Sequence, residues 1–191
     1  MAAPLSKEII VDCAATIVRE EGAGALGLRR VARTLDVTAP ALYGYVDSLD
    51  GLLRALAEAQ FEELARRFDG LRARTPVNRV RGLSRIYVEY ALEEPELFTL
   101  LFRFPPDLEG AGIEHELPIA TKVFTAAAEP ISQGRESGEF PNIDPLRSSL
   151  AVWTAVHGCA TALCMGFDFD DDTIEQLIED VLDMIIAGLR A

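Results

Sequence analysis

Across most of this chain the apolar residues recur at spacings of three and four, and no run of strict apolar–polar alternation suggests a strand. That single pattern restricts the fold to packed helices. In the last segment Leu177, Ile178, Val181, Leu182, Ile185, Ile186 and Leu189 make an apolar stripe broader than one buried face requires. Hydrophobic residues make up 49% of the 191 positions, enough for a substantial core and too many for a disordered chain.

Start and stop signals divide the pattern into about nine helices. Ser6 is placed to cap a first helix with Ile9, Ile10, Cys13, Ile17 and Val18 on one face, closed by Gly22 and Gly24. A short helix is expected from about Leu28 to Leu35, a turn at Asp36-Val37, and a second short helix from a Thr38 cap to about Tyr45. Ser48 is placed to cap a long helix to about Asp69, with Leu52, Leu53, Leu56, Phe61, Leu64 and Phe68 inward. Further helices are expected at about Val77–Glu93, from Pro95 to the Pro105-Pro106 stop, at Glu114–Ser137, at Asp144–Met165 and at Asp171–Leu189. Residues 107–113 form a Gly-containing loop, and Pro130 should kink or break the helix that contains it.

The net charge of −13 is unevenly held. Residues 1–80 carry 11 Lys+Arg and 11 Asp+Glu, whereas residues 81–191 carry 7 basic and 20 acidic side chains. A neutral head with clustered arginines is able to approach phosphates; the acidic remainder repels them. The chain is therefore read as a head over residues 1–48 and a body over 49–191. The first residues, MAAPLSKEIIVDCAAT, lack the basic start and cleavage site of a signal peptide, and no apolar run reaches 18 residues. Cys13, Cys159 and Cys164 are odd in number, widely spaced and set among apolar residues. They suggest buried thiols in a cytoplasmic protein, with no membrane partner.

The informative stretch is LGLRRVARTLDVTAPALYGYVDSLDGLLRALAE, Leu26 to Glu58. Val31, Ala32 and Leu35 give one inner face, Val37 plugs the turn, and Leu42 and Val46 give the next. Ala39, Pro40, Ala41, Tyr43, Gly44 and Tyr45 are left outward. Such a surface of small residues and two tyrosines suits a major groove, with the hydroxyls reaching phosphates. A plain three-helix bundle with a short middle is the alternative from the pattern alone.

The matches at Gly22, Val31-Ala32, Leu35, Val37-Thr38, Pro40, Leu42-Tyr43, Val46 and Leu52-Leu53 give residues 6–58 a clear family character. The chain resembles the tetracycline-repressor family of one-component regulators. The resemblance implies an all-α fold with a helix-turn-helix head and a helical domain that binds an effector and dimerises. It implies that Thr38 caps the second short helix at the groove edge. Ala39, Pro40 and Ala41 would face bases, Tyr43 and Tyr45 phosphates, and Arg29 would read a guanine through O6 and N7. Arg29 as a solvated helix charge is the equal alternative, and Arg30 and Arg33 read as surface charges, with phosphate contact the lesser alternative. Two positions depart from the family pattern. Gly27 stands where Thr or Ser often caps and touches phosphate, and Leu49, between Asp47 and Asp50, stands where lysine is common. Weaker and less salt-sensitive DNA binding is the expected result.

In the body, small residues Ala151, Ala155, Gly158, Cys159 and Ala162 recur at helical spacing before the final stripe. By resemblance these last two helices pair with a second copy, and Ala155, Cys159, Ala162, Ile178, Val181, Leu182, Ile185, Ile186 and Leu189 are the expected interface; an intrachain core is the alternative. VWTAVHGCATALCMG also resembles a Trp-x3-His-Gly signature found in one subset of these domains. Trp153 and His157, four apart, share a face. His157 then anchors a ligand, or it is a hydrogen-bonded core or interface histidine. Tyr87, Tyr90, Phe98, Phe102 and Phe124 join Trp153 as candidate pocket walls, although aromatic residues at helical spacing are more often core.

Other chemistry finds little support. Asp168, Asp170, Asp172 and Glu179 fit positions 1, 3, 5 and 12 of a calcium loop, but the turn position that needs glycine holds Thr173. Acidic residues at a helix start suit the helix dipole equally well. Two separated histidines, His115 and His157, with scattered cysteines do not make a metal site. No cofactor, metal or enzymatic activity is expected. The expected function is a ligand-responsive regulator, most simply a repressor, that binds a pseudo-palindromic double-stranded DNA operator as a homodimer and is released by a small-molecule effector. A helical interaction protein of the same fold, with DNA binding weakened or lost, is the alternative that Gly27 and Leu49 keep open.

Overall fold

A computed structural model describes residues 4–108, 110, 112 and 116–191. Nine α-helices occur among the described residues: α1 Lys7–Glu21, α2 Leu28–Thr34, α3 Ala39–Leu42, α4 Leu49–Gly70, α5 Pro76–Glu93, α6 Pro95–Leu101, α7 Pro118–Ser137, α8 Pro145–Leu163 and α9 Asp171–Arg190. No strand occurs among these residues, and no helix is long and apolar enough to cross a membrane.

Most boundaries follow local chemistry. Ser6 accepts a hydrogen bond from the Ile9 amide, Asp144 from that of Arg147 and Asp170 from that of Thr173. The Ser48 hydroxyl accepts from the Gly51 amide at 2.9 Å, opening α4 as its position predicts. Gly22 closes α1 with φ 80°, a conformation that L side chains adopt at a cost, and a 3₁₀ turn follows at Ala23–Ala25.

Three expectations need correction. The second short helix ends at Leu42 and not Tyr45, because Tyr43–Tyr45 continue as turns that bond back to Pro40 and Leu42. Thr38 occupies the cap position, but its side chain makes no capping bond. Pro130 leaves α7 unbroken: the helix runs seven residues further, and burial of Pro130 and Ile131 offsets the missing backbone donor. The expected start of α7 at Glu114 lies outside the described residues, as does His115, and the described helix begins at Pro118.

The chain forms two units. One comprises the residues up to Glu63 together with Glu94–Thr121. Here α1 packs against α2 and α6, and α2 against α3. Ile10, Ala14 and Val18 of α1, Val31 of α2, Leu42 of α3, Leu52 and Leu56 of α4 and Leu97 of α6 are completely buried. Each of these side chains except the smaller Ala14 contributes about 1.5–3 kcal/mol relative to exposure. Leu35, Val37 and Phe61 are only half-buried. On α1, Arg19 pairs with Glu94 at 2.7 Å, just before α6.

The second unit comprises Leu64–Glu93 and Lys122–Ala191. Here α5 packs against α8 and α9, which also pack on each other. An ion-pair network ties α5 to α9: Arg81 bonds Glu179 and Asp183, and Arg85 bonds Glu179 and, at 2.9–3.0 Å, both oxygens of Glu175. Hydrogen bonding to Asp183 raises the Arg81 guanidinium above its usual range, and Glu175 does the same for Arg85; the Glu175 carboxyl is lowered in return. The groups are largely solvated, so the pairs are screened and add little to stability. Cys159 is buried, while Cys164, expected to be buried, is half-buried and donates to the Ala91 carbonyl.

Candidate nucleic-acid interface

The first unit presents α2, the turn and α3 as a continuous surface. The turn between the helices is tight because Asp36 takes φ 53° and the Val37 amide donates to the Ala32 carbonyl at 2.9 Å. Aspartate tolerates the left-handed region better than most residues. Leu42 and Val46 point inward, 0% and 5% exposed, which fixes the rotation of α3. The outward side of α3 therefore carries Pro40 and Ala41, and the turn that follows it carries Tyr43, Gly44 and Tyr45, all exposed, with Tyr43 at 58%. Ala39 is half-buried and Thr38 exposed.

On α2, Arg29 is exposed and Arg30 pairs with Glu21 of α1. Gly27 caps the helix in an extended conformation without a side-chain bond, and a Cβ built there meets nothing within 4 Å. A side chain at this position would thus enter open space. Leu49 is exposed at the start of α4, where Asp47 is also exposed and Asp50 lies 3.8 Å from Arg103. The surface thus carries small residues and exposed tyrosines together with Arg29, Leu49 and the acidic Asp47 and Asp50.

Of the candidate pocket walls, those in the second unit form one cluster. The Trp153 and His157 rings stack with centroids 5.5 Å apart and an interplanar angle of 15°. Phe124 meets Trp153 edge-on at 6.5 Å. His157 Nδ1 lies 3.3 Å from the Tyr87 hydroxyl and Nε2 3.4 Å from that of Thr161. Burial lowers the His157 imidazole below its ordinary value and raises the Tyr87 phenol, so both are neutral at physiological pH. Tyr90 is fully buried, with the Arg67 guanidinium 5.2 Å from its ring centre. Phe98 and Phe102 belong to the first unit, where they meet edge-on at 4.9 Å; Phe98 is buried and Phe102 exposed. No group of residues able to hold a metal occurs among the described residues. Asp170 instead caps α9, which accounts for its lowered carboxyl.

Of the interface candidates, Cys159, Ile178, Leu182, Ile185, Ile186 and Leu189 are largely covered within the chain, Ala162 and Val181 are half-buried and Ala155 is exposed. Between α8 and α9 runs an open apolar groove of about 530 Å³, lined among others by Ala151, Ala155, Val181, Met184 and Gly188. Met184, which the stripe of buried residues did not single out, is 66% exposed; its spacing from Leu177, Val181 and Gly188 was the available signal.

Residues 80–185 match the family described as "Tetracyclin repressor-like, C-terminal domain". The chain belongs to the tetracycline-repressor family, a class of helix-turn-helix transcriptional regulators. Among its relatives is an uncharacterized HTH-type transcriptional regulator of Mycobacterium tuberculosis, 28% identical over 98% of this chain and 83% of the relative. Its fold is shared by a Rhodococcus sp. RHA1 protein of unknown function, at TM-score 0.82 and 21% identity over 99% and 97% of the two chains. It is also shared by the TetR family regulator PfmR of Thermus thermophilus, at TM-score 0.68 and 18% identity over 96% and 97%.

Proposed function

We propose that this regulator is a repressor that binds a pseudo-palindromic operator as a dimer and releases it when a small molecule occupies the helical domain. The observation that carries this reading is the outward face of α3, where exposed Tyr43 and Tyr45 flank Pro40 and Ala41 above a fully buried Leu42. Two exposed tyrosines are costly to leave bare, and here they lie at the edges of a surface smooth enough to approach base pairs. In this reading Ala39, Pro40 and Ala41 meet thymine methyls, Tyr43 and Tyr45 bond phosphates, and Arg29 bonds a guanine. The first-turn amides of α2, uncapped by any side chain at Gly27, donate to a phosphate in this reading.

Dimerisation through the α8–α9 groove would suit an operator whose two half-sites are centred about one turn of DNA, about 34–36 Å, apart. The Tyr87–His157–Trp153 cluster is the candidate effector contact. The unit containing α1–α3 also includes α6, joined to α1 through Arg19–Glu94, so a shift of α6 moves the head directly. Coupling then follows from different effector affinities for the two arrangements.

The test is binding of the purified protein to DNA from its own upstream region at two salt concentrations, with Arg29→Ala and Tyr43→Phe beside wild type. The reading expects saturable binding that weakens about 5- to 150-fold with Arg29→Ala, the range for one bidentate base contact of about 1–3 kcal/mol. Tyr43→Phe should weaken binding without altering sequence preference. Absence of specific binding here and in a wider operator search would favour the interaction-protein reading, for which exposed Leu49, Asp47 and Asp50 speak.

A further inference from the structure

The hydrogen bonds around His157 form a chain with a definite polarity. An indole only donates, and the Trp153 N–H donates to the Tyr87 hydroxyl. With that oxygen accepting, the Tyr87 O–H donates to His157 Nδ1, 3.3 Å away. Nδ1 is then the acceptor of a neutral imidazole, so the ring proton sits on Nε2. Nε2–H meets the Thr161 hydroxyl at 3.4 Å, a long bond for an N–H donor. Bonds in such a chain polarise one another, so its terminal N–H is a good donor with a poor acceptor. This end is open: Thr161 is exposed, and Trp153 is 38% exposed. Trp153, His157 and Thr161 follow at spacings of four and share one face of α8, so the indole and Nε2–H lie side by side.

The surroundings are selective for charge. Residues 81–191 carry 20 acidic and 7 basic side chains, a field that repels anions. Arg81 and Arg85 are held by the carboxylates of α9. Arg147 lies about 15 Å from His157 along α8, and Lys122, two residues from Phe124, leaves α7 in another direction.

We infer that the effector is an uncharged planar molecule bearing a carbonyl-type acceptor, whose plane lies against Trp153 and whose oxygen takes the His157 Nε2–H from Thr161. This rests on the proposal that the cluster is the effector contact, and names the chemistry it selects. A carboxylate is repelled by the acidic body. An ammonium group brings a donor to a donor. A hydrocarbon covers the indole but leaves Nε2–H with only its long bond.

Trp153 is the only tryptophan of the chain, so its fluorescence reports on this site alone. Acetophenone, ethylbenzene, benzoate and protonated 1-phenylethylamine share a phenyl ring and differ in the polar group. Acetophenone is expected to give a saturable change and to bind about threefold to tenfold more tightly than ethylbenzene, the worth of one hydrogen bond. It should also bind more tightly than either ion. His157→Phe should bring acetophenone and ethylbenzene level. Tyr87→Phe, which releases Nδ1 to take the proton, should narrow their difference. Thr161→Val removes only the competing acceptor at an exposed position, and acetophenone should bind as tightly or more so. The wild-type ranking and Thr161→Val decide the matter even where a buried variant loses helical content by circular dichroism. If any other probe binds as tightly as acetophenone, or Thr161→Val weakens it about threefold or more, the effector class is overturned and the site stands. If no probe gives a saturable change, the class and the effector contact both fall.

Discussion

Replacing Gly134 with alanine sets two effects of known size against each other. Gly134 lies in α7, and alanine is favoured over glycine in a helix by about 0.8–1.0 kcal/mol. A Cβ built at Gly134, however, falls 2.1 Å from Phe140 Cδ2 and 2.4 Å from Cε2. Ordinary carbon contacts are about 3.5–4.0 Å, so the ring must move by more than an ångström. It has nowhere to go: Phe140 is fully buried, and its amide is tied to the Gly134 carbonyl at 2.9 Å. Overpacking of this kind costs about 1–3 kcal/mol, and so severe an overlap belongs in the upper part of that range. The net expectation is a loss of about 1–2 kcal/mol, or about 2–8 °C in Tm for a chain of this length. Thermal melts at fixed protein concentration measure it, since dimerisation makes Tm depend on concentration. In a Phe140→Ala background the clash is gone, and Gly134→Ala should be neutral or stabilising. A rise in Tm from Gly134→Ala alone, or no coupling in the double-mutant cycle, would refute the reasoning.

Two further perturbations test how local chemistry shapes the chain. Ser6→Ala removes a capping bond and should cost about 0.5–2 kcal/mol in urea denaturation, whereas Thr38→Ala removes none and should cost less than about 0.5 kcal/mol. Because burial lowers the His157 imidazole, the unfolded chain binds its proton more readily than the folded chain does. The His157 contribution is thus present above about pH 6.5 and is lost as pH falls through the lowered folded value, so Tm should drop between pH 7 and pH 5. His157→Asn should flatten that part of the profile, and an unchanged slope would remove His157 as its source. The lowered Asp170 and Glu175 carboxyls act in the same direction further down, below about pH 4.

Helices with both a periodic face and a polar cap were legible in the sequence, as α1, α4, α8 and α9 show. Periodicity fixes the buried side, and Ser6 and Ser48 mark where α1 and α4 begin, whereas the capping bonds of Asp144 and Asp170 emerge only in the structure. Thr38 shows the limit of that logic, since its residue type suits a cap but its hydroxyl caps nothing. The length of α3 was hidden for a related reason: Tyr43–Tyr45 bond back as turns, and four helical residues leave no period to detect. Pro130 breaks a local rule, and only tertiary burial explains why α7 continues. The outward face of α3 was readable because Leu42 and Val46 leave it only one orientation. The candidate effector contacts were less so, because an aromatic residue at helical spacing gives the same signal in a core as in a pocket. Tyr90 and Phe98 prove fully buried, whereas Trp153 is 38% exposed. The ties of Arg81 and Arg85 to Glu175, Glu179 and Asp183 were missed, although both rows show the four-residue spacing of one helix face.

The central claim, that this chain reads DNA as a two-fold pair of α3 helices, is tested most directly by selecting bound duplexes from a random pool. The account predicts enrichment of an inverted repeat whose half-sites are centred about one turn, roughly 10 base pairs, apart. Arg29→Ala should relax a single guanine position in each half-site. Recovery of no common sequence, or of an unpaired site bound by one protomer, would contradict it.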